Sequence, residues 1–129
     1  MLKTLIQTEN APLPVGPYNQ AVLTNGILFV SGQIALDKDG VIQNQGDIAD
    51  ETRMVLKNLE AIIEAAELTL HEVAKCSIFV TNINDFGAIN EVYGEFFSES
   101  RPARELVEVS ALPKGARVEI SCIATKLNR

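Results

Sequence analysis

The chain carries one histidine, two cysteines and no tryptophan in 129 residues. With only His71 and no Cys-x-x-Cys pair, a zinc site would need unusual ligands. A Ser-His-Asp triad would have to use the same His71, and nothing around Leu70-His71-Glu72-Val73 recommends it over an exposed connector residue. Neither a metal nor another cofactor is expected. Basic residues are also scarce: Lys and Arg total 11 against 17 Asp and Glu, a net charge of −6. That balance argues against nucleic acid as a partner, because phosphate-backbone binding is dominated by Lys and Arg. No apolar run approaches the roughly 18–20 residues of a membrane span, and Met1 to Gln7 is too short and polar for a signal peptide. Cys76 and Cys122 lie in strand-like apolar runs, where buried, reduced thiols are expected; a cytoplasmic protein follows.

What is present describes an ordinary globular chain. Hydrophobic residues make up 47% and charged residues 22%, enough for one domain spanning 1–129 with its own core. Lys3 to Gln7 reads as an edge strand, and Asn10 to Pro17, with three of the five prolines, as an irregular extended segment. Asn25-Gly26 between two apolar runs predicts a hairpin, since both residues tolerate positive φ. A second turn is expected at Asp37-Lys38-Asp39-Gly40. Ile48, Val55, Leu59, Ile62, Ile63 and Ala66 share one helical stripe, with Asp47 as cap and Glu51, Lys57, Glu60 and Glu64 mostly elsewhere. Val73 to Val80 alternates as a strand. Asp85 is placed to cap a second helix whose stripe is Phe86, Ile89, Tyr93, Phe96 and Phe97. Ala103 to Val109 and Ala116 to Lys126 complete the strands. Three strands, a helix, a strand, a helix and two strands predict an α+β fold: one mixed sheet with two helices packed on one face.

Alternation sorts the last two strands by face. Val118, Ile120, Cys122 and Ala124 are expected under the helices. If the two strands pair through Leu112-Pro113-Lys114-Gly115, the opposite face gathers Arg104, Leu106, Glu108, Arg117, Glu119 and Ile123, joined by Phe29 and Phe79. Glu108 and Arg117 then form a cross-strand pair. Phe, Leu and Ile beside charges make a surface poorly suited to water, so cover by another subunit is expected.

Several motifs, in order along nearly the whole chain, resemble those of the RidA/YjgF family of enamine/imine deaminases. They are Ala11-Pro12, Gly16-Pro17-Tyr18-Asn19-Gln20-Ala21-Val22, Ser31-Gly32-Gln33-Ile34, Asn84-Asp85-Phe86, Arg101-Pro102-Ala103-Arg104, Val107-Glu108-Val109, Leu112-Pro113-Lys114-Gly115 and Val118-Glu119-Ile120. The resemblance implies a chorismate-mutase-like trimeric barrel, with clefts between the subunits of a homotrimer. It implies hydrolysis of 2-imino acids, derived from 2-aminoacrylate or 2-aminocrotonate, to 2-oxo acids and ammonia. It also implies roles: Arg104 grips the substrate carboxylate, Glu119 serves the attacking water, and Tyr18, Ser31, Gly32 and Asn90 line or support the cleft.

This sequence departs from the family pattern at four places. Leu106 stands where many members carry Cys, Arg101 replaces an aromatic, and Ser121 replaces a second Glu. Glu67 replaces a helix-ending Gly, so that C-cap is expected to use another geometry. A non-catalytic sensor of 2-oxo acids or amino acids, using the same arginine, is the alternative function.

Overall fold

The computed structural model describes residues 3–127; Met1 and Leu2, which open the stretch read against a signal peptide, lie outside them. Its elements run β1 (Thr4–Ile6), β2 (Ala21–Thr24), β3 (Ile27–Gln33), α1 (Ile48–Ala65), β4 (Val73–Val80), α2 (Phe86–Phe97), β5 (Ala103–Glu108) and β6 (Val118–Thr125). The expected types and order are all present. Asn25 and Gly26 take φ of 51° and 76°, closing the β2–β3 hairpin with Thr24 opposite Ile27. Asp47 caps α1 by accepting from the Asp50 N–H at 2.9 Å. The next turn is held by Asp37, whose Oδ1 accepts from the Asp39 and Val41 N–H groups.

Two caps differ from expectation. Asp85 makes no capping bond; a single 3₁₀ turn precedes α2, and Asn82 caps that turn by accepting from the Asn84 N–H. Glu67 takes the left-handed conformation itself, at φ 63°, while the Leu68 N–H bonds the Ile63 carbonyl. The usual glycine geometry is therefore kept, at the steric cost of a side chain there.

The six strands form one sheet in the order β1-β2-β3-β6-β4-β5, antiparallel except for the β4–β5 pair. β5 and β6 are thus not partners: β4 lies between them. The sheet has free edges at β1 and β5 and does not close on itself, so the barrel implied by the resemblance does not form. What stands is an α+β fold with one mixed sheet and two helices.

The strand order leaves β6 sorted as expected and overturns the expected faces of β5. Cys76, Ile78 and Val80 of β4 sit level with Arg104, Leu106 and Glu108 on one side and with Cys122, Ile120 and Val118 on the other. Residues level across neighbouring strands share a face. Arg104, Leu106 and Glu108 therefore belong to the helix side. The open side holds Phe29, Ile123, Glu119, Phe79 and Val107, with Lys75, Ser77, Glu105 and Ser121. Phe29, Phe79, Ile123 and Glu119 lie on the open face as expected, and Val107 takes the place of Leu106; Phe29 is 45% exposed there and Val107 42%.

The core lies between the sheet and the helices, with Val55, Leu59, Ile62 and Ile63 of α1 against Leu28, Ile120 and Ala124. Both cysteines are buried and free. Two carboxylates, Glu51 and Glu72, are buried with them. Glu51, in the first turn of α1, has a fully enclosed side chain that accepts from the Arg117 N–H at 2.8 Å and from Arg117 Nε at 2.6 Å. Arg117 also donates to the Gly46 carbonyl. The expected Glu108–Arg117 pair is absent; Glu108 instead accepts from the Ile83 N–H. Glu51 thus ties α1 to the start of β6.

Removing one member of a buried pair strands the other. Glu51→Ala should lower unfolding stability by about 2–3 kcal/mol, less than for a fully enclosed pair because Arg117 keeps some solvent. A urea titration checks this: the midpoint should fall while the slope stays at the parent value.

Candidate functional site

The six residues singled out from sequence fall into two groups on opposite sides of the sheet. Tyr18, Gly32 and Glu119 line one cleft, together with Leu13, Gln20 and Lys114. Ser31 adjoins it. Arg104 and Asn90 meet on the helix side, where Arg104 Nη2 donates to Asn90 Oδ1 at 2.6 Å.

The first group is built on a break in strand pairing. Val30 is level with Cys122, but Gln33 is level with Ile120, so Ser31 and Gly32 together oppose Ser121. This β-bulge re-aims the chain beside the cleft. It also brings the Gly32 backbone under Glu119: a Cβ on Gly32 would stand 2.5 Å from Glu119 Oε2 and 3.0 Å from its carboxyl carbon. Glycine is required here for close approach, not for backbone freedom. The Ser31 hydroxyl donates to the Asn19 carbonyl at 2.6 Å and its N–H to the Gln20 carbonyl, which fixes the bulge.

The Glu119 carboxylate is half-buried and has no hydrogen-bond or ion-pair partner among the described residues. Burial alone raises its pKa above the ordinary glutamate value. A carboxylate left unpaired in a cleft, with raised proton affinity, is suited to take a proton from water.

Gln20 was not singled out from the sequence, yet it shapes this cleft. Its buried amide accepts from the Thr8 N–H at 2.7 Å and donates to the carbonyls of Thr8, Ala11 and Pro12. The proline-rich wall, whose own prolines supply no N–H groups, is thus held by one side chain. A second missed contributor is Lys114, in the left-handed region at φ 57° on the cleft's rim.

In the second group, Arg104 projects from the edge strand onto α2. Its guanidinium carbon lies 4.7 Å from the Tyr93 ring centroid and 5.8 Å from that of Phe86. Asn90 and the two aromatic faces hold the guanidinium in place. Among the described residues no carboxylate pairs with it. Of the expected core stripe of α2, Tyr93 is in the core and also turns its ring to Arg104, while Phe86 stays exposed; with Asn90 between them at helical spacing, the two rings frame the guanidinium. Leu106 is two residues along β5, on the same face. Arg101 does not reach either group and donates to the Ser98 carbonyl at the end of α2. His71 is exposed and faces Glu99 at 3.7 Å.

Within one chain, then, Arg104 and Glu119 cannot act on one small molecule, since β4 separates their strands and the sheet separates their side chains. The Gly32–Glu119 contact gives a sharp local test. Gly32→Ala should displace the flexible carboxylate while shifting the melting temperature by only a few degrees. The Glu119 titration, followed by carboxyl-carbon NMR, should move relative to the parent.

Comparison with known proteins follows the same lines. A family model described as Endoribonuclease L-PSP matches residues 8–126. A RutC family protein of Pyrococcus horikoshii is 52% identical over 97% of this chain and 99% of its own length. The 2-iminobutanoate/2-iminopropanoate deaminase of Rattus norvegicus is 40% identical over 98% of this chain and 92% of its own. The crystal structure of E. coli TdcF with bound serine superposes with a TM-score of 0.90 at 40% identity, covering 96% of this chain and 99% of that one. Matched over nearly its whole length in both sequence and fold, the chain belongs to the RidA/YjgF family, the family of the Endoribonuclease L-PSP model.

Proposed function

We propose that the protein hydrolyses reactive 2-imino acids to 2-oxo acids and ammonia, at sites shared between copies of the chain in a homotrimer. The observation that carries the reading is the pair of unmatched charges: Arg104 without an acid and Glu119 without a cation. Kinship with 2-iminobutanoate/2-iminopropanoate deaminases supplies the reaction. The exposed apolar residues of the open face, Phe29, Val107 and Ile123, support contact with further copies.

Arg104 binds the substrate carboxylate through the planar fork of its guanidinium, already oriented by Asn90 and Tyr93. Each shielded, charge-assisted bond contributes about 1.5–3 kcal/mol. The fixed carboxylate presents the C=N carbon to water held by Glu119 of a neighbouring copy. Water adds to that carbon as Glu119 takes its proton, giving a carbinolamine. That proton then passes from Glu119 to nitrogen, making ammonia the leaving group, and the Glu119 carboxylate takes the hydroxyl proton as the C–N bond breaks and the C=O bond of the 2-oxo acid forms. Tyr18 and Gly32 shape the cleft around Glu119, and Ser31 holds the bulge.

A relative holding serine, an amino acid, favours a second reading as a sensor that binds without turnover. Coupling a Ser/Thr dehydratase to the protein separates the two: the deaminase accelerates 2-oxo-acid formation over the buffer rate, and the sensor does not.

Sedimentation should give a particle of three 14.0 kDa chains, about 42 kDa; a stable monomer would remove the shared site. Arg104→Ala should lower kcat/KM by about 100-fold or more, and Arg104→Lys should remain impaired because an ammonium lacks the fork. Glu119→Gln should cost about 10²- to 10⁴-fold. Mixed by co-refolding, the two inactive variants should recover activity in roughly a quarter of the sites, those pairing an intact arginine with an intact glutamate. No recovery would place both residues in the same chain's site.

The pH profile should follow Glu119. Because burial raises its pKa, the active carboxylate form is lost as pH falls through a value above the usual glutamate range of about 4.3. That acid limb should disappear in Glu119→Gln.

A further inference from the structure

Three walls of the Glu119 cleft lie outside the sheet, and each is pinned by one side-chain amide that donates to carbonyl oxygens. Gln20 holds the wall at Ala11 and Pro12, and Asn44 Nδ2 holds the rim at the Gly115 carbonyl, at 2.8 Å. The third wall is Ile34 and Leu36, where the chain leaves β3 just past the bulge. Asn58, in the middle of α1, reaches across to it. Its Nδ2 donates to the Leu36 carbonyl at 3.1 Å and to the Ile34 carbonyl at 3.4 Å.

The other hydrogen bonds of this segment are local. The Leu36 N–H bonds the Ile34 carbonyl, the Gln43 N–H bonds that of Ala35, and Leu36 bridges to Ile42. Among the described residues, Asn58 alone ties segment 34–36 to a helix by hydrogen bonds. Ile34 stands two residues beyond Gly32, whose backbone passes directly under Glu119. The bulge therefore has two anchors: Ser31 upstream, on the carbonyls of Asn19 and Gln20, and Asn58 downstream.

We propose that Asn58 is a positioning residue for Glu119: by holding Ile34 and Leu36 it keeps the bulge seated beneath the carboxylate and one wall closed beside it. Asn58 stands behind that wall and does not line the cleft itself. Its bearing on turnover rests on the imine-hydrolysis reading above. Tyr18 and Lys114 are the other ionisable groups lining the cleft, and the β4 neighbour of Glu119 is the uncharged Phe79. Burial is what raises the Glu119 pKa. A wall that loosens admits water, which returns the carboxylate toward its ordinary proton affinity.

Carboxyl-carbon NMR titration of Glu119 and imine kinetics on Asn58→Leu, Asn58→Ala and Thr52→Val test this. Leucine keeps the size of asparagine and alanine is the smallest change, and both suit a helix interior, so α1 is retained. Thr52→Val is the control, because it removes a hydrogen bond internal to the same helix, from the Thr52 hydroxyl to the Ile48 carbonyl at 2.7 Å. Both Asn58 variants should bring the Glu119 titration down toward the ordinary value of about 4.3. They should lower kcat about tenfold or more, with KM within about twofold of the parent because the Arg104 clamp is untouched. Thr52→Val should keep the parent titration and kcat even if its melting temperature falls as far. The inference is overturned if Glu119 titrates in folded Asn58→Ala and Asn58→Leu as it does in the parent, or if Thr52→Val moves it equally. A shifted titration with unchanged kcat upholds the positioning and removes Glu119 from the hydrolysis reading instead.

Discussion

The period of two along β6 is the constraint from which the rest of the structure follows. Its buried set, Val118, Ile120, Cys122 and Ala124, is apolar throughout and takes the helices. Placing that strand at the sheet's centre, between β3 and β4, commits Glu119 to the open side. The Glu51–Arg117 pair fixes the strand's start to α1, so register and helix position are set by the same few residues. With β6 fixed, the bulge at Ser31-Gly32 is the device that lets a neighbouring strand pass beneath a carboxylate.

Much of the fold is legible locally. Asn25-Gly26, Asp47 and the α1 stripe each carry their own instructions, because turns and caps depend on residues within a few positions. The faces are a different matter. Alternation says which residues of one strand point together, but not which way up an edge strand sits beside its neighbour. Ala103, Glu105 and Val107 look no less suited to a core than Arg104, Leu106 and Glu108, so periodicity could not choose. Pairing did, and it followed a strand distant in sequence. The burial of Glu51 is hidden from the sequence for a related reason: its partner, Arg117, lies 66 residues away.

The site residues were legible as identities and not as an arrangement. Arg104 and Glu119 are both present and both unpaired, but on opposite sides. An unpaired, half-buried charge is costly in an isolated chain. Two such charges of opposite sign, each framed by well-fixed neighbours, are what the proposed shared site brings together. The aromatic stripe of α2 has the same double character, since Tyr93 packs against Phe97 at 4.8 Å while offering its face to the guanidinium.

Gln20 gives the cleft an unexpected dependence. Three backbone carbonyls of the proline-rich wall converge on a single amide nitrogen, while its oxygen takes the Thr8 N–H. Glutamate has nearly the same size and shape, but an ionised carboxylate has no N–H to offer. Hydrolysis of that one amide, the slow chemistry by which side-chain amides age, would set negative charge against three carbonyl oxygens. The wall is therefore held by the identity of one atom, and its lifetime is bounded by how well burial keeps water from that amide.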